Sequence, residues 1–354
     1  MPPKGPTMHR ASNMYPDFIE KAMGLQSGKL PHAFLKKMIR YSGAPDRRVL
    51  LGPKIGEDAA VINLGKECLI LKTDPITYAV EDIGWYAVHV NANDIATMGA
   101  RPKWLQVGLL LPMGITKSRI EEIFRQIDAA CRQLGIAVTG GHTEITPWID
   151  RPIIVGDMHG LCRKRDLIYT SGAKEGDSVI LTKGAGIEGT AVLAREKKNH
   201  LLQKFPRVFL RRAERYLYEP GISVVPEAFI GAKLGATCMH DPTEGGVATG
   251  LYEIATASGK GLLLEKECII VREETRRICE FFGLDPLGLM GSGALLLTMP
   301  ARKADAFLDA AKEERVDASV IGRVTKRTAG LKILDGGKKR ALTFSQRDEL
   351  LRVL

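Results

Sequence analysis

No apolar run in this 354-residue sequence approaches the roughly 18 residues of a membrane span. The opening MPPKGPTMHR also lacks the apolar core of a signal peptide. The six cysteines, Cys68, Cys131, Cys162, Cys238, Cys268 and Cys279, form no CxxC pair and no metal-ligand spacing. They read as free thiols in a reducing, cytoplasmic setting. Aromatic residues make up 6% of the chain, and none gather into a base-stacking motif for single-stranded nucleic acid. A concentrated basic face is missing too, although the net charge is +10. The densest cluster, Arg207, Arg211, Arg212 and Arg215, falls in an expected amphipathic helix and reads as a solvated face. These absences exclude a membrane span and argue against a nucleic-acid partner.

What is present is ordinary globular material: 45% hydrophobic and 26% charged residues, over a length that suits two domains. The most specified stretch is HDPTEGGVATGLYEIATASG (240–259). Asp241 is an expected N-cap, Pro242 an expected first helical residue, and Glu244 completes a capping-box pattern. Val247, Leu251, Ile254 and Ala255 then share one face. Gly245 and Gly246 would sit in the first turn, where each costs about 1 kcal/mol relative to alanine. They would let either a sheet or an anion approach the helix start closely.

Taken in order, the chain reads as a loose or partly helical arm over 1–27, then a short amphipathic helix over 30–39. The fragment GLQSGKL (24–30) has the wrong glycine spacing and a leucine in place of Ser or Thr for a P-loop, and is rejected. Gly56-Glu57-Asp58 is an expected turn before the strand 59–62, and Asp74 ends another strand (68–73). Carboxylates converging at such ends would suit magnesium with phosphate ligands. A helix over 84–98 places Asn91 and Asp94 on one side. Strand 105–111, helix 117–134 and strand 136–139 follow, and Gly140-Gly141-His142-Thr143-Glu144 reads as a glycine turn ending in polar groups. The long loops and hairpin-like pairs imply a mixed sheet. Polar, glycine-bearing 170–177 marks the passage to a second α/β domain. There GAGIEG (184–189) matches GxGxxG between a strand and a helix, but the acidic residue expected about 20 positions on is missing. The divisions are an N-terminal arm and helix (1–45), a first domain (46–169), a second domain (170–334) and a tail (335–354).

GEDAAV (56–61), TDP (73–75), NANDIATMGARP (91–102), GGHTE (140–144) and HDPTEGG (240–246), in this order, resemble one ATP-binding superfamily. Its members are aminoimidazole ribonucleotide (AIR) synthase, selenophosphate synthetase, thiamine-monophosphate kinase and the hydrogenase maturation protein HypE. The second half is most similar to HypE, through 241–259 and VREETRRICEFFGLDPLGLMGSGALL (271–296). The resemblance implies a two-domain α+β, PurM-like fold and a homodimer in which N-terminal domains join strands into a shared barrel. It implies ATP in the cleft between domains and magnesium held by aspartates. Carried over by motif, Asp58, Asp74 and Asp94 are metal residues. Asp241 and His142 take the catalytic positions, with Asn91, Lys72, Lys54, Glu144, Gly245 and Gly246 toward the nucleotide. His142 stands where HypE relatives have an acidic residue, and Glu144 could supply a carboxylate instead. HypE also carries its carbamoyl group on a C-terminal cysteine, whereas this sequence ends Leu351-Arg352-Val353-Leu354. Self-modification is therefore not carried over.

The function implied is ATP- and magnesium-dependent activation of an amide or carboxamide oxygen by phosphorylation. The substrate would be a small molecule or a carbamoylated protein, with hydrogenase maturation partners. A small-molecule kinase or synthase of thiamine-phosphate or purine type is the second reading. A nucleotide-binding regulatory or scaffold protein without turnover is the third.

Overall fold

The computed structural model describes residues 27–344 and 347–354, so the expected arm over 1–27 lies, apart from Ser27, outside the described residues. The first described element is helix α1 (His32–Met38). The first domain then carries six strands: β1 (Val49–Leu51), β2 (Ala60–Asn63), β3 (Glu67–Ile76), β4 (Arg101–Pro112), β5 (Ala137–Thr146) and β6 (Ile153–Arg163). They form one sheet in the order β1-β2-β3-β6-β4-β5. Every pairing is antiparallel except β4 with β5, which makes the sheet mixed, as the sequence implied. Its backbone is the long β3–β6 ladder, in register from Glu67↔Arg163 to Ile76↔Ile154.

Two helices, α2 (Ile83–Thr97) and α3 (Lys117–Leu134), cover this sheet. Helix α3 is amphipathic: Ile123, Ile127, Ala130 and Cys131 are buried. Its ends are specified by sequence, because Thr116 Oγ1 accepts from Arg119 N and Gly135 closes the helix in the left-handed region. Helix α2 is buried along almost its whole length, since it lies between the first sheet and the second domain. The polar residues it carries inward must therefore find partners. Asn93 does so across the domain seam: its Nδ2 donates to Ile222 O at 2.8 Å, and its Oδ1 accepts from Val224 N at 2.8 Å.

The second domain comprises β7 (Asp177–Thr182), α4 (Ile187–Glu196), α5 (Lys198–Leu201), α6 (Arg207–Glu214), α7 (Val225–Leu234), β8 (Cys238–His240), α8 (Gly246–Ser258), β9 (Gly261–Glu265), α9 (Glu273–Phe282), β10 (Leu296–Pro300), α10 (Ala304–Glu313), β11 (Ala318–Thr325) and β12 (Leu331–Asp335). One further strand, β13 (Lys338–Ala341), lies in the segment expected to be only a tail. The seven-stranded sheet runs β13-β12-β9-β11-β7-β10-β8, antiparallel except for β12 with β9. The basic cluster sits on and just after α6, with Arg212 paired to Glu274 and Arg215 to Glu219. No described helix is long and apolar enough to cross a membrane.

Two expectations are corrected. Residues 140–144 are not a turn but the middle of β5, paired rung by rung with β4 from Gln106↔Gly140 to Pro112↔Thr146, after a bulge at Thr139. Asp241 does not cap α8: the helix begins five residues later, with Gly245 in the N-cap position at φ 79°. The reason is long-range. Asp348 accepts from Gly245 N at 2.7 Å, from Met290 N at 3.2 Å and from Leu350 N at 2.8 Å. This buried carboxylate thereby holds the 241–245 segment out of the helix.

Candidate active site

The site is assembled where the ends of β2, β3 and α2 in the first domain meet the loop after β8 in the second. Among the described residues, Asp58, Asp94 and Asp241 form the group whose spacing suits a metal ion: all are buried, with one oxygen of each within 4.8 Å of the others. Asp58 comes from the turn before β2, Asp94 from α2 and Asp241 from the end of β8.

Each carboxylate is held differently. Asp58 has both oxygens engaged: Oδ2 accepts from Thr97 Oγ1 at 2.8 Å, and Oδ1 lies 2.5 Å from His240 Nδ1. Both oxygens of Asp241 are buried without a hydrogen-bonding partner, as is Asp94 Oδ2. Burial, reinforced by the neighbouring carboxylates, pushes Asp94 and Asp241 above the ordinary aspartate range. Buried orphan oxygens of this kind are what a cation would satisfy, and an all-oxygen donor set fits magnesium.

Lys72 supplies positive charge in the meantime. Its Nζ lies 3.2 Å from Asp94 Oδ2, off the hydrogen-bonding direction, and 3.4 Å from Asp74 Oδ2. Burial opposes its charge, but Asp94 and Asp74 outweigh burial and hold it above the ordinary lysine value. On the other flank, His240 Nε2 meets Glu253 Oε2 at 2.9 Å, and His32 Nε2 stands 3.7 Å from Glu253 Oε1. Burial works against a charged His240, yet Asp58 and Glu253 raise it well above the usual histidine value. The same contact holds Glu253 well below the usual glutamate value, against burial. His240 is thus an imidazolium clamped between two carboxylates.

These groups line a cavity of 330 Å³, together with Lys29, Lys54, Glu57 and Thr243. Lys54 is at the rim and pairs with Glu57 at 3.2 Å. Lys29 crosses the mouth: its Nζ donates to Thr243 Oγ1 and its backbone N–H to Glu244 Oε2, both at 3.0 Å. Lys29, His240 and Glu253 were not singled out from sequence. The signal for Lys29 lay in GLQSGKL, set aside because it fails as a P-loop.

The remaining sequence candidates lie differently. Asn91 has its amide occupied by backbone: Oδ1 accepts from Asp74 N at 2.9 Å, and Nδ2 donates to Asp74 O and Ala87 O. It positions Asp74 and has no amide group left for a nucleotide. Gly245 and Gly246 have their N–H groups engaged by Asp348 and by Thr243 O. A Cβ on Gly246 would come within 2.5 Å of Leu289 O, so this glycine serves close packing and not anion approach. His142 and Glu144 stand apart from the cavity, exposed on edge strand β5, with His142 Nε2 3.2 Å from Glu144 Oε2.

Residues 56–162 match the N-terminal domain of AIR synthase related proteins, and residues 174–332 match the C-terminal domain. Carbamoyl dehydratase HypE of Azotobacter vinelandii is 31% identical over 281 residues, spanning 75% of this chain and 78% of the relative. Hydrogenase expression/formation protein HupE of Azotobacter chroococcum is 31% identical over 278 residues, spanning 76% and 79%. A crystal structure of hydrogenase maturation protein HypE in complex with ATP is 25% identical, with a TM-score of 0.65 over 88% of this chain and 91% of that one. The chain belongs to the AIR synthase related family, as a HypE-like member.

Proposed function

We propose that this protein is an ATP- and magnesium-dependent enzyme that activates a carboxamide oxygen by phosphorylation, in the manner of a carbamoyl dehydratase. The observation that carries the reading is the convergence of Asp58, Asp94 and Asp241 from two domains, with orphan oxygens on two of them. Asp58, Asp94 and Asp241 would hold magnesium, with Asp74 beside them. The ion would neutralise phosphate charge, as phosphoryl transfer requires. Lys72, Lys29 and Lys54 line the same cavity as cations for the phosphates. The likeness to a HypE solved with ATP supports the nucleotide, and the carbamoyl dehydratase relatives support the carboxamide.

We assign 46–169 to the first domain and extend the second beyond 170–334, because β13 is the edge strand of its sheet and Asp348 in the 347–354 segment bonds Gly245. Exposed edge strand β5, with exposed Phe124, Val138 and Ile145 near it, supports a homodimer through the first domain. His142 and Glu144 would then face the partner copy. A complex of HypE with HypF is among the structural relatives, which supports hydrogenase maturation partners. Six free cysteines, five of them buried, suit a cytoplasmic setting.

The test is calorimetry of ATP with and without magnesium. Magnesium-dependent binding is expected for the wild type and is lost in Asp58→Asn plus Asp94→Asn. Equal binding in the double variant overturns the reading.

A further inference from the structure

A second cavity, of 240 Å³, adjoins the carboxylate site and shares Lys29, Asp74 and Thr243 with it. Its walls are otherwise different in kind. Pro75, Ile76, Ala79, Val90 and Met290 are apolar, while Thr77, Tyr78, Ser292, Glu244 and Glu188 are the other polar groups. Glu188 is buried and enters from the first turn of α4. It belongs to GAGIEG, the motif left without a role once a dinucleotide is discounted. The packing explains that motif. A Cβ on Gly189 would fall 2.5 Å from Leu289 Cγ, so the glycine lets α4 lie directly on the 289–292 segment. That contact sets Glu188 and Ser292 together in the wall of the cavity.

We propose that this second cavity binds the acceptor carboxamide, and that Glu188 is a catalytic residue that removes the amide N–H proton as the oxygen is phosphorylated. The proposal rests on the function proposed above and deepens it. In the step, the carboxamide oxygen forms a bond to the γ-phosphorus, and the bond from that phosphorus to the β,γ-bridging oxygen breaks, its electron pair leaving with ADP. One N–H proton passes to the Glu188 carboxylate. The products are the imidate O-phosphate, ADP and protonated Glu188, so atoms and charge balance. The placement suits the chemistry, because the shared wall of Lys29, Asp74 and Thr243 is where a group in one cavity meets a group in the other.

Burial raises Glu188 to about 7, against the opposing hydrogen bond from Ser292 and with further upward pressure from Asp348, Glu244 and Asp74. The charge of Glu188 in turn adds to the burial that raises Tyr86 of α2. A base poised near the working pH is the efficient choice for proton transfer.

The experiment uses the full-length protein and S-carbamoyl-N-acetylcysteine amide, a small thiocarbamate carboxamide, as probe. Calorimetry measures binding of magnesium-ATP and of the probe, and single-turnover phosphate release is followed against pH. Glu188→Gln is expected to bind both ligands within about threefold of wild type. Its phosphate release should fall by ~100-fold or more and lose the rise through about pH 7, with Glu188→Asp recovering part of the rate. Thr77→Phe, at an exposed wall position, and Ser292→Leu should lose probe binding while keeping magnesium-ATP.

Wild-type release in Glu188→Gln overturns the role of Glu188. Loss of magnesium-ATP binding in Thr77→Phe overturns the cavity assignment, since the cavity would then house the nucleotide, and so does failure of the wild type to bind the probe. If the wild type binds the probe but not magnesium-ATP, the proposed function fails and the cavity assignment stands on the Thr77→Phe comparison.

Discussion

His240 Nδ1 lies 2.5 Å from Asp58 Oδ1, joining the second domain to the first at the floor of the cleft. The pair is buried, and Glu253 completes it on the far ring nitrogen. Removing one member of a buried ionic group leaves the others uncompensated, at a cost of about 3–5 kcal/mol. His240→Ala is therefore expected to destabilise the protein by that order in denaturant unfolding. Adding Asp58→Asn should recover part of the loss, because one stranded charge is removed. Purely additive effects in this cycle would show that the two residues do not act as a unit.

Asp241 presents the opposite case. Its oxygens have no protein partner, and Asp58 and Asp94 stand beside it. Asp241→Asn should keep the fold, with stability unchanged or improved by about 1 kcal/mol, since a buried unpaired charge is removed. Magnesium-dependent ATP binding should weaken by at least ~10-fold. Thermal unfolding and calorimetry read the two quantities separately, and a large loss of stability would return Asp241 to a structural role.

Asn91→Ala should be costly although Asn91 would touch no ligand. It leaves the N–H and O of Asp74 and the O of Ala87 short of their partner. Each stranded buried group costs about 1–3 kcal/mol. The expected result is a loss of about 3 kcal/mol or more in urea unfolding, with weaker nucleotide binding as Asp74 shifts.

Asp348 gives the fold a pH signature. Burial raises it to about 6, against three backbone N–H groups that favour the charge. Because the folded value lies above the unfolded one, the stability it contributes is fully present below about pH 4 and is lost as pH rises through about 6. Asp348→Asn removes that dependence. The stability difference between wild type and variant should therefore move by up to about 3 kcal/mol in favour of the variant between pH 4 and 7. Parallel stability–pH curves for the two proteins would contradict this.

How much of this was readable in the sequence follows from how local each feature is. Asp58, Asp74, Asp94 and Asp241 sit in short ordered motifs, so the acidic centre and the two-domain fold were legible. His240 and Glu253 were not, because they become partners of Asp58 only after β8 and α8 dock against the first domain. The expected Asp241 cap followed a sound local rule, but Asp348, 103 residues beyond Gly245, engages that residue and overrides it. GGHTE read as a turn because of its glycines, whereas pairing with β4 keeps it extended.

The two bonds of Asn93 to the 222–224 segment act like two rungs of a ladder thrown across the seam between domains. A side-chain amide that both donates to and accepts from backbone fixes translation and rotation together. The seam beside the cleft is consequently pinned at this point. Discrimination among ligands then falls to charge and shape at the walls.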